Sequence, residues 1–190
     1  MPVPALPPAQ VQVRAPLPSW WQHFAGLSKL ESDFAQVSES TVFGTLRKQG
    51  HLAVAAGGRL RVAYTKGLLL VSDGKRMVQY DPQARTAQGL DLARALGEFP
   101  ILNLLVDPRS LEASYEVIAE GDRIRLKPRR AALPEVRVEG QGGLPTRISW
   151  KDATGAQQNL TLTNSRQPSG FPAGTFRFEP PKGTRWLGPR

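Results

Sequence analysis

The sequence predicts a mainly β protein, in which an antiparallel sheet curls toward a barrel and two apolar helices lie against its inner face. Three observations support this fold. Polar and apolar residues alternate along much of the chain, turn signals recur roughly every ten residues, and helical spacing is confined to residues 19–29 and 90–106. Because successive side chains of a strand point to opposite faces, one face of this sheet is expected to be apolar.

The alternation is clearest from Leu60 to Pro82, on either side of an Asp-Gly pair. Asp73 and Gly74 are predicted to take the positive φ angles of a two-residue hairpin turn. The apolar face is expected to contain Leu60, Val62 and Tyr64 before the turn and Val78 and Tyr80 behind it.

The other strands are predicted between further turn signals. Gly44 and Gly50 interrupt one long strand and are expected to form bulges or bends. Strands are predicted around Phe34–Val37, Tyr115–Val117, Ile124–Leu126, Val136–Val138, Ile148–Trp150, Leu160–Leu162 and, as the last one, Phe176–Phe178.

Two segments have helical rather than alternating spacing. In residues 19–29, Ser19 is the expected N-cap, with Gln22 three residues later, and the apolar stripe consists of Trp21, Phe24, Leu27 and Leu30. In residues 90–106, Pro100 can open a second short helix, whose apolar members are Ile101, Leu102, Leu104 and Leu105.

Length and composition indicate one domain without a membrane span. The chain has 190 residues, which we divide into a Pro-rich tail, residues 1–18, and a single domain, residues 19–190. The tail has no continuous apolar stretch, so we expect no signal peptide in it. No run approaches the roughly 18 apolar residues of a membrane-spanning helix.

The residue types do not indicate catalysis or metal binding. The chain has no cysteine, which excludes disulfides and thiolate ligands. His23 and His51 lack the spacing of a zinc site, and the carboxylates are scattered over predicted turns rather than paired for acid–base chemistry. We therefore expect no enzyme, no cofactor and no metal.

The net charge of +9 suggests a contact with something anionic. Arg123, Arg125 and Lys127 are expected on one outward strand face, which is either simply solvated or faces an anionic surface. Nucleic acid is not expected, because most aromatic residues share the parity of the apolar face rather than that of the arginines. A curved apolar sheet covered by apolar helices holds either a packed core or a lipid in a cavity.

Five motifs resemble, in order and spacing, the periplasmic outer-membrane lipoprotein carrier family, LolA. The resemblance covers about residues 19–185. The motifs are L-x-x-L-x-x-x-F-x-Q (27–36), L-x-V-x-x-x-x-R-L-R-V-x-Y (52–64), L-x-V-S-D-G-K-x-x-x-x-Y-D-P (69–82), F-P-I-L-N-L-L (99–105) and F-x-F-x-P-P-x-G (176–183).

The resemblance implies an incomplete, unclosed antiparallel β-barrel whose apolar concave face is covered by helices. It also implies a periplasmic chaperone that takes acylated lipoproteins from an inner-membrane transporter, shields their acyl chains and passes them to an outer-membrane receptor. We expect a monomer. Two other functions stay open, a related carrier of another amphiphile, such as a lipid-linked intermediate, and a lipoprotein-sensing regulatory module.

The resemblance and the strand parity together give a set of expected lipid-binding residues. On the covering helices these are Phe24, Leu27, Leu30, Ile101, Leu102 and Leu105, and on the sheet Leu46, Leu52, Val54, Leu60, Val62, Tyr64, Val78 and Tyr80. The family usually has Arg-Pro after the L-x-V strand, and that arginine is associated with holding the helices closed. Ala56 and Gly57 stand at these positions, so either Arg59 or Arg61 takes the role or the helices are held less tightly.

Overall fold

The computed structural model of the chain describes residues 15–98 and 100–188. Most of the predicted tail, residues 1–14, lies outside the described residues, and so does Phe99 of the fourth motif. Within these ranges the chain forms one sheet. Its strands are β1 (Lys29–Ser40), β2 (Gly44–Ala55), β3 (Arg59–Tyr64), β4 (Leu69–Asp73), β5 (Arg76–Asp81), β6 (Thr86–Asp91), β7 (Tyr115–Glu120), β8 (Arg123–Pro128), β9 (Val136–Gln141), β10 (Leu144–Lys151), β11 (Gln157–Arg166) and β12 (Arg185–Leu187).

The strands follow the order β12-β6-β5-β4-β3-β2-β1-β11-β10-β9-β8-β7. All neighbours are antiparallel except β12, which pairs with β6 in parallel. Because β7 and β12 form the two edges, the sheet does not close on itself. The predicted mainly β fold with an unclosed antiparallel sheet is therefore confirmed.

Helices occur at two places in the chain. Helix α1 (Ser19–Ala25) precedes the sheet, while α2 (Leu92–Glu98), α3 (Pro100–Val106) and a 3₁₀ helix (Ser110–Ala113) connect β6 to β7. The helical segment predicted at residues 90–106 is confirmed from Leu92 onward, whereas Leu90 and Asp91 still belong to β6. Helix α3 begins at the proline, as expected, because the first turn of a helix does not need the N–H that proline lacks.

Helix α1 is shorter than the predicted segment, residues 19–29. The N–H of Gly26 donates to the carbonyl of His23 at 3.0 Å and follows the last helical residue. Leu27 lies in the connection, and Leu30 belongs to β1, where it pairs with Val54. The apolar spacing of three continues across a helix end into a strand, which is why it overstated the helix.

The predicted capping of α1 by Ser19 is also wrong. Pro18 occupies the cap position, and its carbonyl accepts hydrogen bonds from the N–H groups of Trp21 at 3.0 Å and Gln22 at 3.3 Å. The Gln22 side chain donates to the carbonyl of Leu17 at 3.1 Å. Backbone carbonyls, rather than a serine hydroxyl, therefore satisfy the start of this helix.

The predicted interruptions of β2 are absent. Gly44 to Ala55 pair with β1 without a register shift. A Cβ at Gly50 would lie 2.7 Å from Cζ of Phe34 and would overlap the carbonyl oxygen of Ala63. Gly50 therefore makes room for an aromatic ring on the neighbouring strand instead of forming a bulge.

The β4–β5 turn differs by one residue from the prediction. Gly74 has a positive φ of 98°, but Asp73 is the last residue of β4. The Asp73 carboxylate accepts hydrogen bonds from the N–H groups of Lys75 at 2.8 Å and Arg76 at 3.0 Å. The two turn residues are therefore Gly74 and Lys75.

The C-terminal segment, residues 167–184, packs on the face of the sheet opposite to the helices and leads into β12. The ring of Phe178 lies 5.4 Å from that of Tyr80 and 6.0 Å from that of Trp186. Phe176 and Phe178 are not in a strand, contrary to the prediction, because their rings pack over the sheet while the last strand forms later, at β12.

Candidate functional site

The face of the sheet that the helices cover, called here the concave face, is lined by apolar side chains. Directly paired residues of an antiparallel ladder point to the same face. Val54 pairs with both Leu30 and Leu60, and the same face continues across β11 to β7. Its most buried apolar residues include Phe34, Leu52, Val54, Leu60, Val62, Met77, Ile124, Leu126, Val136, Val138, Ile148, Leu160 and Leu162.

Helices α1, α2 and α3 together form the lid. Helix α1 contacts β9 and β10, α2 contacts β5 and β6, and α3 contacts β2. The lid therefore has two parts that are separate in the chain, and each part covers a different half of the sheet.

The first part of the lid is held by aromatic side chains. The rings of Trp20 and Trp21 lie 5.8 Å apart and those of Trp21 and Phe24 5.9 Å apart, both edge to face, and all three residues are buried. The indole N–H of Trp20 donates to the carbonyl of Asp122 at 2.9 Å. A side chain at Gly140 would overlap the Trp20 ring, so this helix is fitted closely to β9.

The second part of the lid is held by aliphatic side chains. Leu92 and Ala95 of α2 and Leu104 and Leu105 of α3 are buried in the core. Leu104 is the most buried of the four, although it was not among the expected lipid-binding residues. Its burial has a sequence signal, since it belongs to the apolar members of the predicted helix.

Side chains fill the space between α3 and the first two strands of the sheet. The gap between α3, β1 and β2, lined by Phe24, Leu30, Val54 and Leu105 among others, has a volume of about 10 Å³, which is at the limit for a single water molecule. Of the two alternatives left open by the sequence, the packed core is therefore the one found in this part of the structure. An acyl chain would need the lid to move.

Most expected sheet residues lie where the parity places them. Leu52, Val54, Leu60, Val62 and Tyr64 all face the lid side of the sheet. On the lid, Phe24 and Leu105 are buried, whereas Leu27, Ile101 and Leu102 are partly buried against the core. Contact of these residues with lipid stays a prediction.

Three expected residues have a different position. Leu30 belongs to the sheet rather than to a helix. Val78 pairs with Val71, and Val71 with Arg61, so Val78 is on the convex face, the one opposite to the lid. Tyr80 has the same parity and packs on Phe178. The facing predicted for Val78 and Tyr80 is therefore wrong.

Met77 is the residue of β5 that the parity argument missed. It pairs with Ser72, which pairs with Leu60, so Met77 shares the concave face and is buried at 1% exposure. The signal was available in the turn. A two-residue turn pairs even-numbered residues with odd-numbered ones, as Ser72 with Met77, whereas the prediction continued the even numbering of Leu60 and Val62 through the turn to Val78 and Tyr80.

Arg59 and Arg61 do not replace the missing lid arginine. The Arg59 guanidinium lies 5.7 Å from the centroid of the Phe176 ring, and Arg61 donates to the carbonyl of Thr175 at 3.4 Å. Both side chains thus contact the C-terminal segment on the convex face. The remaining alternative, a lid held less tightly, is consistent with its apolar packing.

The concave face becomes polar away from the lid. Tyr64 donates to the side-chain oxygen of Gln36 at 3.3 Å, and the Gln36 amide donates to Gln158 at 3.1 Å. The Gln158 amide in turn donates to Ser38 at 2.7 Å and Asp152 at 2.8 Å. Burial raises the pKa of the Tyr64 phenol, so this network is uncharged except for its carboxylate.

Tyr115 is a buried polar residue on the same face. Its phenol oxygen has no hydrogen-bond partner among the described residues, and burial raises its pKa to about 12. It is therefore a neutral phenol inside an otherwise apolar region.

The two histidines lie in different elements, His23 in α1 and His51 in β2. His51 contacts Asp33 at 2.8 Å and Glu31 at 3.0 Å on the convex face. A hydrogen bond from Asn164 and a second one from His51 lower the pKa of Asp33. Within the described ranges, no cluster of three or more His, Cys, Asp or Glu residues is arranged to hold a metal ion. The described helices are all too short or too polar to cross a membrane.

Comparison with known sequences gives a consistent family. The family described as "Outer membrane lipoprotein carrier protein LolA" matches residues 25–179. An outer-membrane lipoprotein carrier protein of Bordetella avium is 29% identical over 172 residues, which cover 84% of this chain and 82% of that protein. One from Bordetella pertussis is 34% identical over 122 residues, which cover 60% of this chain and 57% of that protein. The chain thus spans somewhat more than half of the second relative.

Solved structures agree at the level of the fold. A LolA superfamily protein from Nitrosomonas europaea has a TM-score of 0.56 and 13% identity, with 84% of this chain and 96% of that one covered. An uncharacterised conserved protein from Thermus thermophilus has a TM-score of 0.56 and 11% identity, with coverages of 88% and 96%. The family match extends from the end of α1 through β1 to β11 and into the C-terminal segment, and the chain belongs to the LolA family of outer-membrane lipoprotein carrier proteins.

Proposed function

We propose that this chain is a periplasmic carrier that shields the acyl chains of lipoproteins on its concave face after the lid has moved away. One observation supports this more than any other. The lid fills the concave face with aliphatic and aromatic side chains, of which Phe24 and Leu104 are 2% and 1% exposed. A hydrocarbon chain is the kind of ligand that could take their place.

The energetics favour a carrier of this design. Moving one methylene group from water to an apolar site gains about 0.8 kcal/mol, so an acyl chain of about sixteen carbons represents on the order of 12 kcal/mol. Opening the lid exposes its own apolar side chains and offsets part of this gain. The net affinity is then moderate, which permits release as well as uptake.

The loose hold on the lid fits the same proposal. Arg59 and Arg61 contact the C-terminal segment rather than the lid. Apolar packing then provides most of the resistance to opening. Opening the lid therefore separates apolar surfaces without breaking a charge-assisted hydrogen bond from either arginine, and closing restores the same contacts.

The proposed cargo and partners come from the family. The relatives are named outer-membrane lipoprotein carrier proteins, which supports acylated lipoproteins as cargo and the periplasm as location. An inner-membrane transporter as donor and an outer-membrane receptor as acceptor complete the proposed route. The carrier itself performs no chemical step in this proposal.

A reversible lock on the lid tests the need for opening. The chain has no cysteine, and Val54 of β2 and Leu105 of α3 line the same small gap. A Val54→Cys, Leu105→Cys variant is expected to bind a palmitoylated peptide when reduced and to lose this binding when oxidised. The two single variants are the controls. Undiminished binding by the fully oxidised variant would contradict the proposal.

A carrier of another amphiphile is the second candidate. The observation that favours it is the replacement of the family's Arg-Pro pair by Ala56 and Gly57, with Arg59 and Arg61 directed away from the lid. Native mass spectrometry of protein purified without detergent separates the two candidates. A co-purified mass that matches a lipoprotein supports the first, and one that matches a free lipid supports the second.

A further inference from the structure

The hairpin between β1 and β2 extends beyond its neighbours. Strand β3 ends at Tyr64, which pairs with Gly50, so residues 44–49 of β2 have no strand on that side in the described part of the chain. Every residue from Thr41 to Gln49 is exposed. We call residues 41–48 the tip.

The tip carries an unusual set of exposed apolar side chains. Val42 is 78% exposed, Phe43 85% and Leu46 54%. They are three of the four large apolar side chains described as exposed, and the fourth, Leu187, lies in β12. Because water does not favour such a cluster, its presence on one projecting turn calls for a partner.

The turn that presents Val42 and Phe43 is ordered by its own hydrogen bonds. The Ser40 hydroxyl oxygen accepts from the N–H groups of Val42 and Phe43, both at 3.2 Å. Gly44 follows with a positive φ of 74°. The two apolar side chains are thus held at the end of the hairpin without contact to the core.

Cations surround the tip. Arg47 and Lys48 belong to it. Neither forms an ion pair within the described ranges, and the Lys48 ammonium lies 5.7 Å from the centroid of the Tyr64 ring. The N–H of Thr65 bonds to the carbonyl of Gln49 at 2.8 Å, which places Lys66 on the adjacent turn.

The region around the tip has fewer acidic side chains than basic ones, and one of the acidic side chains already accepts hydrogen bonds. Lys151 of β10 pairs with Gln157 of β11, and Gln157 pairs with Glu39 of β1. A further cation, Lys151, therefore lies two strands away from the tip. Glu39 is exposed, whereas Asp152 accepts hydrogen bonds from its own turn and from Gln158. The local balance is therefore positive, in line with the net charge of +9.

We propose that the tip inserts Val42 and Phe43 into the interface of a bilayer that contains anionic lipids, while the neighbouring cations contact the headgroups. A short apolar turn flanked by Arg and Lys is suited to shallow insertion combined with electrostatic attraction. A second copy of the chain is the less favoured occupant, because Arg47 and Lys48 in the part of β2 that β3 does not reach oppose strand-to-strand pairing. This membrane contact goes beyond acyl-chain transport and does not depend on it.

Sedimentation with lipid vesicles tests the proposal on the delipidated full chain. Wild-type protein is expected to sediment with vesicles of phosphatidylcholine and phosphatidylglycerol, less with phosphatidylcholine alone, and less at high salt. The variant Val42→Ser, Phe43→Ser is expected to bind about tenfold more weakly or not at all. Arg47→Gln, Lys48→Gln is expected to lose the preference for anionic vesicles.

The β4–β5 turn at the opposite end of the sheet offers a matched control. Lys75 and Arg76 are also adjacent exposed cations of a hairpin, and Lys75→Gln, Arg76→Gln is expected to bind as wild type. Equal circular dichroism and melting temperatures show that all variants are folded. The proposal is overturned if wild type does not sediment, if the serine variant binds normally, or if both charge variants lose binding equally. Concentration-dependent dimers that the serine variant abolishes, without vesicle binding, would assign the tip to a second copy instead.

Discussion

The two ends of strand β2 differ in burial although both alternate in sequence. Leu52 and Leu46 belong to the same strand and the same face, yet Leu52 is 1% exposed and Leu46 54%. At Leu52 the strand has β3 beside it and the lid above it, whereas at Leu46 both are absent in the described part of the chain. Parity therefore sets the face of a residue, and covering elements decide whether that face is buried.

The largest expected effect comes from truncating the two leucines. Leu52→Ala is expected to lower the free energy of unfolding by about 2–5 kcal/mol, because it leaves a cavity in a packed core. Leu46→Ala is expected to change it by less than about 0.5 kcal/mol. Urea denaturation measures both, and equal losses would show that the tip is covered in solution.

The two glycines of β2 sharpen the comparison at the level of the backbone. Gly50→Ala is expected to cost about 1–3 kcal/mol, since the new Cβ would overlap Ala63 and Phe34. Gly44 has a positive φ and open space around it, so Gly44→Ala is expected to cost only about 1 kcal/mol. The order of the two melting temperatures checks this, and a reversed order would contradict the described packing of Phe34 on Gly50.

Acyl-chain binding is expected to depend on the lid and not on the tip. Leu102→Asp introduces a charge beside the proposed path of the cargo and is expected to weaken binding of a palmitoylated peptide by about tenfold. Val42→Asp introduces the same charge at the tip and is expected to leave this binding unchanged. Titration by fluorescence measures both. If Leu102→Asp binds as wild type while remaining folded, the lid is not the binding surface.

The smallest expected effect is a pH dependence carried by turns at the two ends of the sheet. The N–H groups of Arg76 and Lys75 lower the pKa of Asp73. Hydrogen bonds from Thr154 above all, and from Gln158, lower that of Asp152.

Because the pKa of each carboxyl is lower in the folded state, this carboxyl takes up its proton at a higher pH in the unfolded chain than in the folded one. Stability is therefore retained above the ordinary value of 3.8 and lost as the pH falls through the lower folded values. Asp73→Asn and Asp152→Asn are each expected to flatten this decline in melting temperature. A decline as steep as that of wild type in both variants would show that other carboxylates are responsible.

Much of the fold follows from local sequence signals. Alternation placed Leu52, Val54, Leu60 and Val62 on one face, and Pro100 marked the start of α3. These signals act within one element, where the geometry of a strand or a helix turn relates neighbouring residues directly.

The errors arise where one element meets another. Continuing the even numbering across the β4–β5 turn exchanged Val78 for Met77, because a two-residue turn pairs even-numbered residues with odd-numbered ones. The stripe from Phe24 to Leu30 crossed the end of α1 without any break in spacing. The filled interior depends on how closely the lid approaches the sheet, a distance between parts of the chain that no single segment encodes.

The small gap beneath α3 has a consequence for calorimetry. If the empty protein holds almost no water there, loading wets the hydrocarbon surface of the helices while it dries that of the ligand. Hydration of the helix surface raises the heat capacity, whereas dehydration of the acyl chain lowers it. The heat capacity change of loading is therefore expected to be smaller in magnitude than the value calculated from burial of the acyl chain alone.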